Sequence, residues 1–288
     1  MIDYIYEVNK GNMDISIRLR NGLQLRGFIN SPGSDVKAFI LLFHGIGEHI
    51  GRYREWAGKF AKEGRGFMAF DLPGHGNSDG KRGVISSYNL TDEMAETLIS
   101  EYRKTYPEVP LFVYGHSLGG GIVLNYLLRR QPDIKGAIIT SPWIKLTFEP
   151  SAFKIFLAKI MKSVYPSFVQ PTGLVTAHLS HDTGEVKKYI EDPLVHDKIS
   201  AGLFHSAVTA SDYILSNISK LKVPVLLLHG SDDLITSPEG SMEIAGKSDM
   251  ITFRLWEGGY HELHNETFRD EVFAFISNWI KSKLSESN

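Results

Sequence analysis

The stretch Leu111-Phe-Val-Tyr-Gly-His-Ser-Leu-Gly-Gly120 reads as a short apolar strand, a turn of the pattern G-x-S-x-G, and the opening of a helix. Within it, Gly115-His116-Ser117-Leu118-Gly119 sets a serine in a tight, strained bend that lifts its hydroxyl above the carboxyl end of the strand. Glycines on either side let strand and helix pass without colliding. The helix that follows points its first amides at negative charge developing near that hydroxyl. The plain alternative is a Gly-rich turn that merely starts a helix. The strand before the pattern and the helix after it argue instead for a nucleophile, Ser117.

The rest of the chain repeats the same unit. Segments 38–43, 66–70, 111–114, 136–140, 223–228 and 252–256 are short apolar or β-branched runs. Helix-period stretches at 53–63, 90–106, 118–130 and 238–245 lie between most of them, and a last one covers 268–283. Strands apolar on both faces, alternating with helices, predict an α/β fold with a mostly parallel central sheet and helices on both faces. Segments 13–20 and 23–30 alternate apolar and polar residues around Asn21-Gly22, which predicts an antiparallel hairpin at the start of the sheet. From Trp143 to Lys198 no strand is evident, and Pro150, Pro166, Pro171 and Pro193 punctuate helical pieces. That length exceeds an ordinary connection, so 143–198 reads as a helical cap inserted into a core made of 1–142 and 199–288.

A serine hydroxyl needs a base, and the base needs an orienting acid. On strand–turn–helix units of this kind the acid and then the histidine follow on loops after later strands. After 223–228 comes His229-Gly-Ser-Asp-Asp233, offering Asp232 and Asp233; after 252–256 comes Glu257-Gly-Gly-Tyr-His-Glu-Leu-His264, offering His261 and His264. The oxyanion requires two backbone donors. One is the amide of Leu118; the other is that of Ile46, in the loop His44-Gly-Ile-Gly47 after segment 38–43.

Composition narrows the surroundings. A formal net charge of -2 over 288 residues gives no basic excess for nucleic acid. With no cysteine, disulfides and thiolate metal sites are excluded. The first dozen residues carry Asp3, Glu7 and Lys10 among few apolar ones, unlike a secretory signal, so a cytoplasmic location is the expectation. Asp71-Leu-Pro-Gly-His-Gly76 pairs a carboxylate with an imidazole, yet reads better as a tight loop with His75 bonded into the fold than as a metal site.

Together these motifs resemble the monoglyceride lipase and lysophospholipase branch of the α/β-hydrolases, a serine aminopeptidase S33-type group. The resemblance rests on His44-Gly-Ile-Gly-Glu-His49 with Arg52-Tyr53, Asp71-Leu-Pro-Gly-His-Gly-Asn-Ser78, Gly115-His-Ser-Leu-Gly-Gly120, Asp192-Pro-Leu-Val195, His229-Gly-Ser-Asp-Asp233 and Tyr260-His261. It implies the α/β-hydrolase fold, Asp233 as acid, His261 as base, and oxyanion donors at Ile46 and Leu118. Leu118 stands where many members have methionine, a change a backbone donor tolerates. Glu48, His49 and Arg52 beside the oxyanion loop could bind a polar head group or tether the loop.

The implied reaction is hydrolysis of a carboxylic ester, above all monoacylglycerol to fatty acid and glycerol, through an acyl-enzyme on Ser117. A lysophospholipase or general carboxylesterase would share the same residues, and a receptor-like hydrolase with slow turnover is the alternative from another class. No metal or organic cofactor is required. The expected partner is a small lipid ester. In the cap, Phe153, Phe156, Leu157, Ile160, Met161 and Val164 recur at helical spacing among Lys154, Lys159 and Lys162, a pattern that could rest transiently on a membrane or micelle or pack inward.

Overall fold

A computed structural model describes residues 2–3, 8–9, 12–33, 35–147, 160–161 and 164–286. The strands are β1 (Ile2–Asp3), β2 (Val8–Asn9), β3 (Asn12–Arg18), β4 (Gln24–Asn30), β5 (Ala38–Phe43), β6 (Arg65–Phe70), β7 (Leu111–His116), β8 (Gly136–Thr140), β9 (Val169–Pro171), β10 (Lys198–Ser200), β11 (Val225–Gly230) and β12 (Ile251–Trp256). The helices are α1 (Arg54–Lys62), α2 (Tyr88–Thr105), α3 (Leu118–Arg130), α4 (Thr183–Glu191), α5 (Ala201–Asn217), α6 (Pro238–Ala245) and α7 (Arg269–Ser285).

The main sheet runs β1-β3-β4-β6-β5-β7-β8-β11-β12, with β2 paired to β3. β3 and β4 form the expected hairpin, paired antiparallel from Asn12↔Asn30 to Arg18↔Gln24. From β6 through β12 the pairings are parallel. Each inner strand is buried on both faces, and alternate residues serve opposite sides. Phe39, Leu41 and Phe43 join the core beneath α2, α3 and α5, while Ala38, Ile40 and Leu42 join the core beneath α1 and α7. This two-sided burial is why the parallel strands read as continuous apolar runs.

Strand order reverses at β5. The chain passes from β5 outward to β6, then returns to place β7 on the other side of β5. The helices leaving β5 and β7, α1 and α3, therefore lie on opposite faces of the sheet, and a crevice opens above the carboxyl ends of these two strands. The loop after β5 and the turn containing Ser117 both border it.

Two features differ from the sequence expectation. Within 143–198, where no strand is evident in the sequence, Val169–Pro171 pairs antiparallel with Lys198–Ser200. Strands of three residues, with only Ile199 and Ser200 of their six positions buried, carry no apolar alternation to detect. Helix α5 also went unmarked, although Ser200 caps it by accepting the Leu203 amide and Leu203, Ala207, Ala210 and Ile214 form its buried stripe. Most of the amphipathic cap pattern, including Phe153, Phe156 and Leu157, lies outside the described residues; Ile160 and Val164 are exposed. Among the described residues no helix is long and apolar enough to cross a membrane.

The close passage of α3 over the sheet depends on missing side chains. A Cβ on Gly119 would collide with the carbonyl oxygen of Phe43, and one on Gly115 would stand 2.6 Å from the Gly119 carbonyl oxygen. Both obstacles are backbone and cannot rotate away. Gly119→Ala is expected to cost about 3 kcal/mol by forcing the helix off the strand. Urea unfolding measures this, and a midpoint equal to wild type would mean that α3 can lift without loss.

Candidate active site

Ser117 has φ 54° and ψ -117°, a conformation rare for a residue with a side chain. Its backbone is held on both sides. Its N–H donates to Thr140 O at 3.0 Å, and its own carbonyl accepts the amides of Gly121 (3.1 Å) and Trp143 (2.9 Å). The strain therefore cannot relax without breaking bonds to β8, to α3 and to the chain after β8. The result is a hydroxyl fixed at the helix N-terminus, above β7.

His261, on the loop after β12, brings Nε2 to 2.9 Å from Ser117 Oγ. Its Nδ1 lies 2.7 Å from Asp233 Oδ2, on the loop after β11. Since the carboxylate can only accept, Nδ1 carries the hydrogen and the Nε2 lone pair faces the serine hydroxyl. Asp233 is 2% exposed and fully used. Its Oδ1 accepts the amides of Ile235 (2.8 Å) and Thr236 (3.0 Å), and its Oδ2 also meets His229 Nε2 (3.0 Å) and Thr236 Oγ1 (2.9 Å). Burial by itself would push this carboxyl up, but the charge of His261 and the donors from His229 and His261 outweigh it and hold it well below the usual carboxylate range.

The pairs that chain order left open have distinct surroundings. Asp232 is exposed and, among the described residues, its carboxylate accepts the Ser231 hydroxyl at 2.6 Å. His264 sits in a single 3-10 turn, Leu263–Asn265, ahead of α7 rather than at its start. Its ring stacks on Tyr53 with centroids 4.6 Å apart, and burial pushes its imidazole down to about 3. For His261, burial also opposes the cation, yet Asp233 beside Nδ1 prevails and raises the imidazole above its ordinary 6.5.

The loop after β5 curls beside Ser117. Among the described residues, neither the Ile46 amide nor the Leu118 amide meets an acceptor. Three side chains hold this loop. Glu48 Oε1 accepts the Gly45 amide (2.6 Å) and the Tyr53 hydroxyl (2.9 Å). Arg52 bridges Glu48 Oε2 at 2.7 Å to both oxygens of Glu262, at 2.5 and 2.6 Å. His49 Nε2 pairs with Asp192 Oδ2 at 2.8 Å. Burial favours protonation of both glutamates. Arg52 overcomes it at Glu262, holding it at about 2, whereas Glu48 is pushed up by burial and its neighbour's charge. Glu262, next in sequence to His261, thus ties the histidine loop to the loop after β5 through one guanidinium.

Glu48, Glu262 and His264 have the spacing of a metal cluster, but a guanidinium already stands between the two carboxylates, which leaves no room for a second cation. Asp71 is likewise committed, to the amides of Ile50 (2.9 Å) and Asn77 (2.8 Å), and His75 Nδ1 bonds to Pro73 O at 3.0 Å.

The family model for serine aminopeptidase S33 hydrolases (Hydrolase_4) matches residues 34–268. The chain belongs to this family. It is 34% identical over 254 residues to an uncharacterized abhydrolase domain-containing protein of Dictyostelium discoideum, covering 87% of this chain but only 27% of that longer protein. Similarity to human monoglyceride lipase is 32% over 263 residues, with 88% of this chain and 86% of that one covered. Among solved structures, the monoacylglycerol lipase of Paleococcus ferrophilus matches with a TM-score of 0.82 at 35% identity, covering 91% of this chain and 99% of that chain. This S33 hydrolase therefore has the α/β-hydrolase fold over nearly its whole length.

Sequence reasoning missed His229, Thr236, Glu262 and Asp192 as members of the network. His229 lies four residues before Asp233, a spacing that could have drawn attention to it. Glu262 gave no signal, and Asp192, though part of the Asp192-Pro-Leu-Val195 run, gave none of its partner, because Arg52 and His49 are 210 and 143 residues away.

Two outcomes follow from these arrangements. With the Nε2 lone pair of His261 facing the Ser117 hydroxyl, ester turnover is expected to fall on acidification with a midpoint above pH 6.5, the direction in which Asp233 moves the imidazole. Rapid-quench kinetics with a chromogenic ester reads this, and a midpoint below that value would contradict the geometry. Arg52→Met leaves two buried carboxyl groups facing each other and should destabilise the fold by roughly 3–5 kcal/mol. Arg52→Lys should recover only part of this in urea melts, since it cannot form the two-pronged bond.

Proposed function

We propose that this S33 hydrolase cleaves carboxylic esters of lipids, with monoacylglycerol as substrate and fatty acid and glycerol as products. Ser117 is the nucleophile, His261 the base and Asp233 its orienting acid. The observation that carries the reading is the hydrogen-bonded series Ser117–His261–Asp233 opening into an uncharged cavity of about 420 Å³. Trp143, Leu146, Ile199 and Phe204 contribute its apolar wall, and no described lining residue is an Asp, Glu, Lys or Arg. A peptide substrate held by its amino terminus would need a carboxylate to meet the ammonium. The nearby acids, Glu48 and Glu262, are engaged by Arg52 and do not line the cavity. An acyl chain needs only apolar surface, which favours the ester over the aminopeptide.

The chemistry runs on this chain's own groups. Ser117 Oγ attacks the ester carbonyl as His261 Nε2 takes its proton, and Asp233 stabilises the imidazolium. The amides of Ile46 and Leu118 receive the oxyanion, each contributing roughly 3 kcal/mol at the transition state. His261 then returns the proton to the departing alcohol, and water repeats the sequence on the acyl-enzyme. Segment 143–198 acts as a cap over the core formed by 1–142 and 199–288: Trp143, Leu146, Gln170, Leu174, Val175 and His178 all face the cavity from it. Val175 and Leu234 line the cavity while remaining 51% and 47% exposed, an apolar lip suited to drawing an acyl chain from a membrane or micelle.

Steady-state hydrolysis of a monoacylglycerol, a lysophospholipid, a short p-nitrophenyl ester and an aminoacyl anilide tests the reading. Monoacylglycerol should be the preferred substrate. Ser117→Ala should abolish turnover, and Asp233→Asn should reduce kcat at least 100-fold more than Asp232→Asn, on the order of the known loss when a triad acid is neutralised. Turnover of the short ester alone would remove the lipid assignment. Activity surviving Ser117→Ala would remove the mechanism.

A further inference from the structure

The carboxylate of Asp233 is shared between two imidazoles. His229, at the end of β11, is 0% exposed, and its Nε2 lies 3.0 Å from Asp233 Oδ2 and 3.0 Å from the carbonyl oxygen of Thr236. Both of those atoms only accept, so Nε2 must carry the hydrogen. The other nitrogen, Nδ1, is 2.7 Å from Ser241 Oγ on α6, whose hydroxyl donates to its lone pair. The tautomer is thus fixed from both sides. Asp233 Oδ2, the oxygen that receives His261 Nδ1–H, also receives His229 Nε2–H and lies 2.9 Å from Thr236 Oγ1.

We propose that His229 is a positioning residue for the acid of the triad: its Nε2–H fixes the direction of Asp233 Oδ2 and draws off part of the charge that this oxygen presents to His261. Ser241 acts one step further out, by setting the tautomer in which His229 can donate. A carboxylate oxygen with fewer donors is more basic and binds an imidazolium more strongly. The base of an acyl transfer works best when its imidazole titrates near the operating pH, so an undivided Asp233 would hold the His261 proton too tightly. The inference rests on the triad reading above.

The test is the acid limb of kcat/KM for a chromogenic ester, measured with His229→Leu, His229→Gln and Ser241→Ala beside wild type and Ser117→Ala. His229→Leu removes the donor. Its limb should move to higher pH by about half a unit, with kcat lowered several-fold and KM nearly unchanged. His229→Gln places an amide N–H near the position of Nε2 and should recover most of both. Ser241→Ala, a small change that frees the tautomer, should shift the limb the same way by a lesser amount. An unmoved or lowered limb in His229→Leu overturns the proposal even if kcat falls, since a merely structural role would lower activity without that shift. Should His229→Leu fail to fold, an unmoved limb in Ser241→Ala overturns it instead. Full activity in Ser117→Ala would sink the triad reading, an outcome distinct from a dead Ser117→Ala with unmoved limbs.

Discussion

The passage of α3 across the ends of β5 and β7 is the constraint on which the site depends. Gly115 and Gly119 have no Cβ, so helix and strand backbones come within a distance that any side chain would forbid. That approach leaves Ser117 in a conformation costing of order 1–3 kcal/mol, held by bonds to Thr140, Gly121 and Trp143. The strain has a use. It holds the hydroxyl where His261 reaches it from a loop 144 residues further along the chain.

Buried charge is the second organising feature. Arg52, Glu48 and Glu262 form a compact cluster beneath the site, and apolar residues of equal volume would stabilise the fold at least as well. What the ions add is direction. A guanidinium accepts only a narrow range of carboxylate positions, and through Glu48 it fixes the Gly45 amide while through Glu262 it fixes the residue beside His261. The loop after β5 and the loop that carries His261 are thereby referred to one rigid group. Asp233 shows the same economy on the other side of the imidazole, with every lone pair of its carboxylate assigned.

Much of this was legible in the residues. The strand and helix order follows from runs apolar on both faces, such as 38–43 and 223–228, whose meaning does not depend on distant neighbours. The turn that holds Ser117 was legible because a strand-to-helix bend of this kind needs glycines at fixed offsets, and those are local. The acid and base could be narrowed to Asp232 or Asp233 and to His261 or His264 by chain order. Only the family resemblance chose between them at that stage. The ribbon of β9 and β10 is not legible because strands of three residues are too short to show alternation, whereas helix α5 carries a readable signal in Ser200 and the spacing of Leu203, Ala207, Ala210 and Ile214.

What the sequence by itself determined is therefore the parallel α/β architecture and the place of Ser117 at its strand-to-helix turn, both written in residues close along the chain. The tertiary structure alone decided which groups complete the site. Arg52 meets Glu262 across 210 residues, His49 meets Asp192 across 143, and the largely apolar cavity wall is assembled from the loop after β5, the segment after β8 and the loop before α6. Such pairings depend on where folded loops come to rest. That is fixed by packing of the whole sheet, and no local pattern records it.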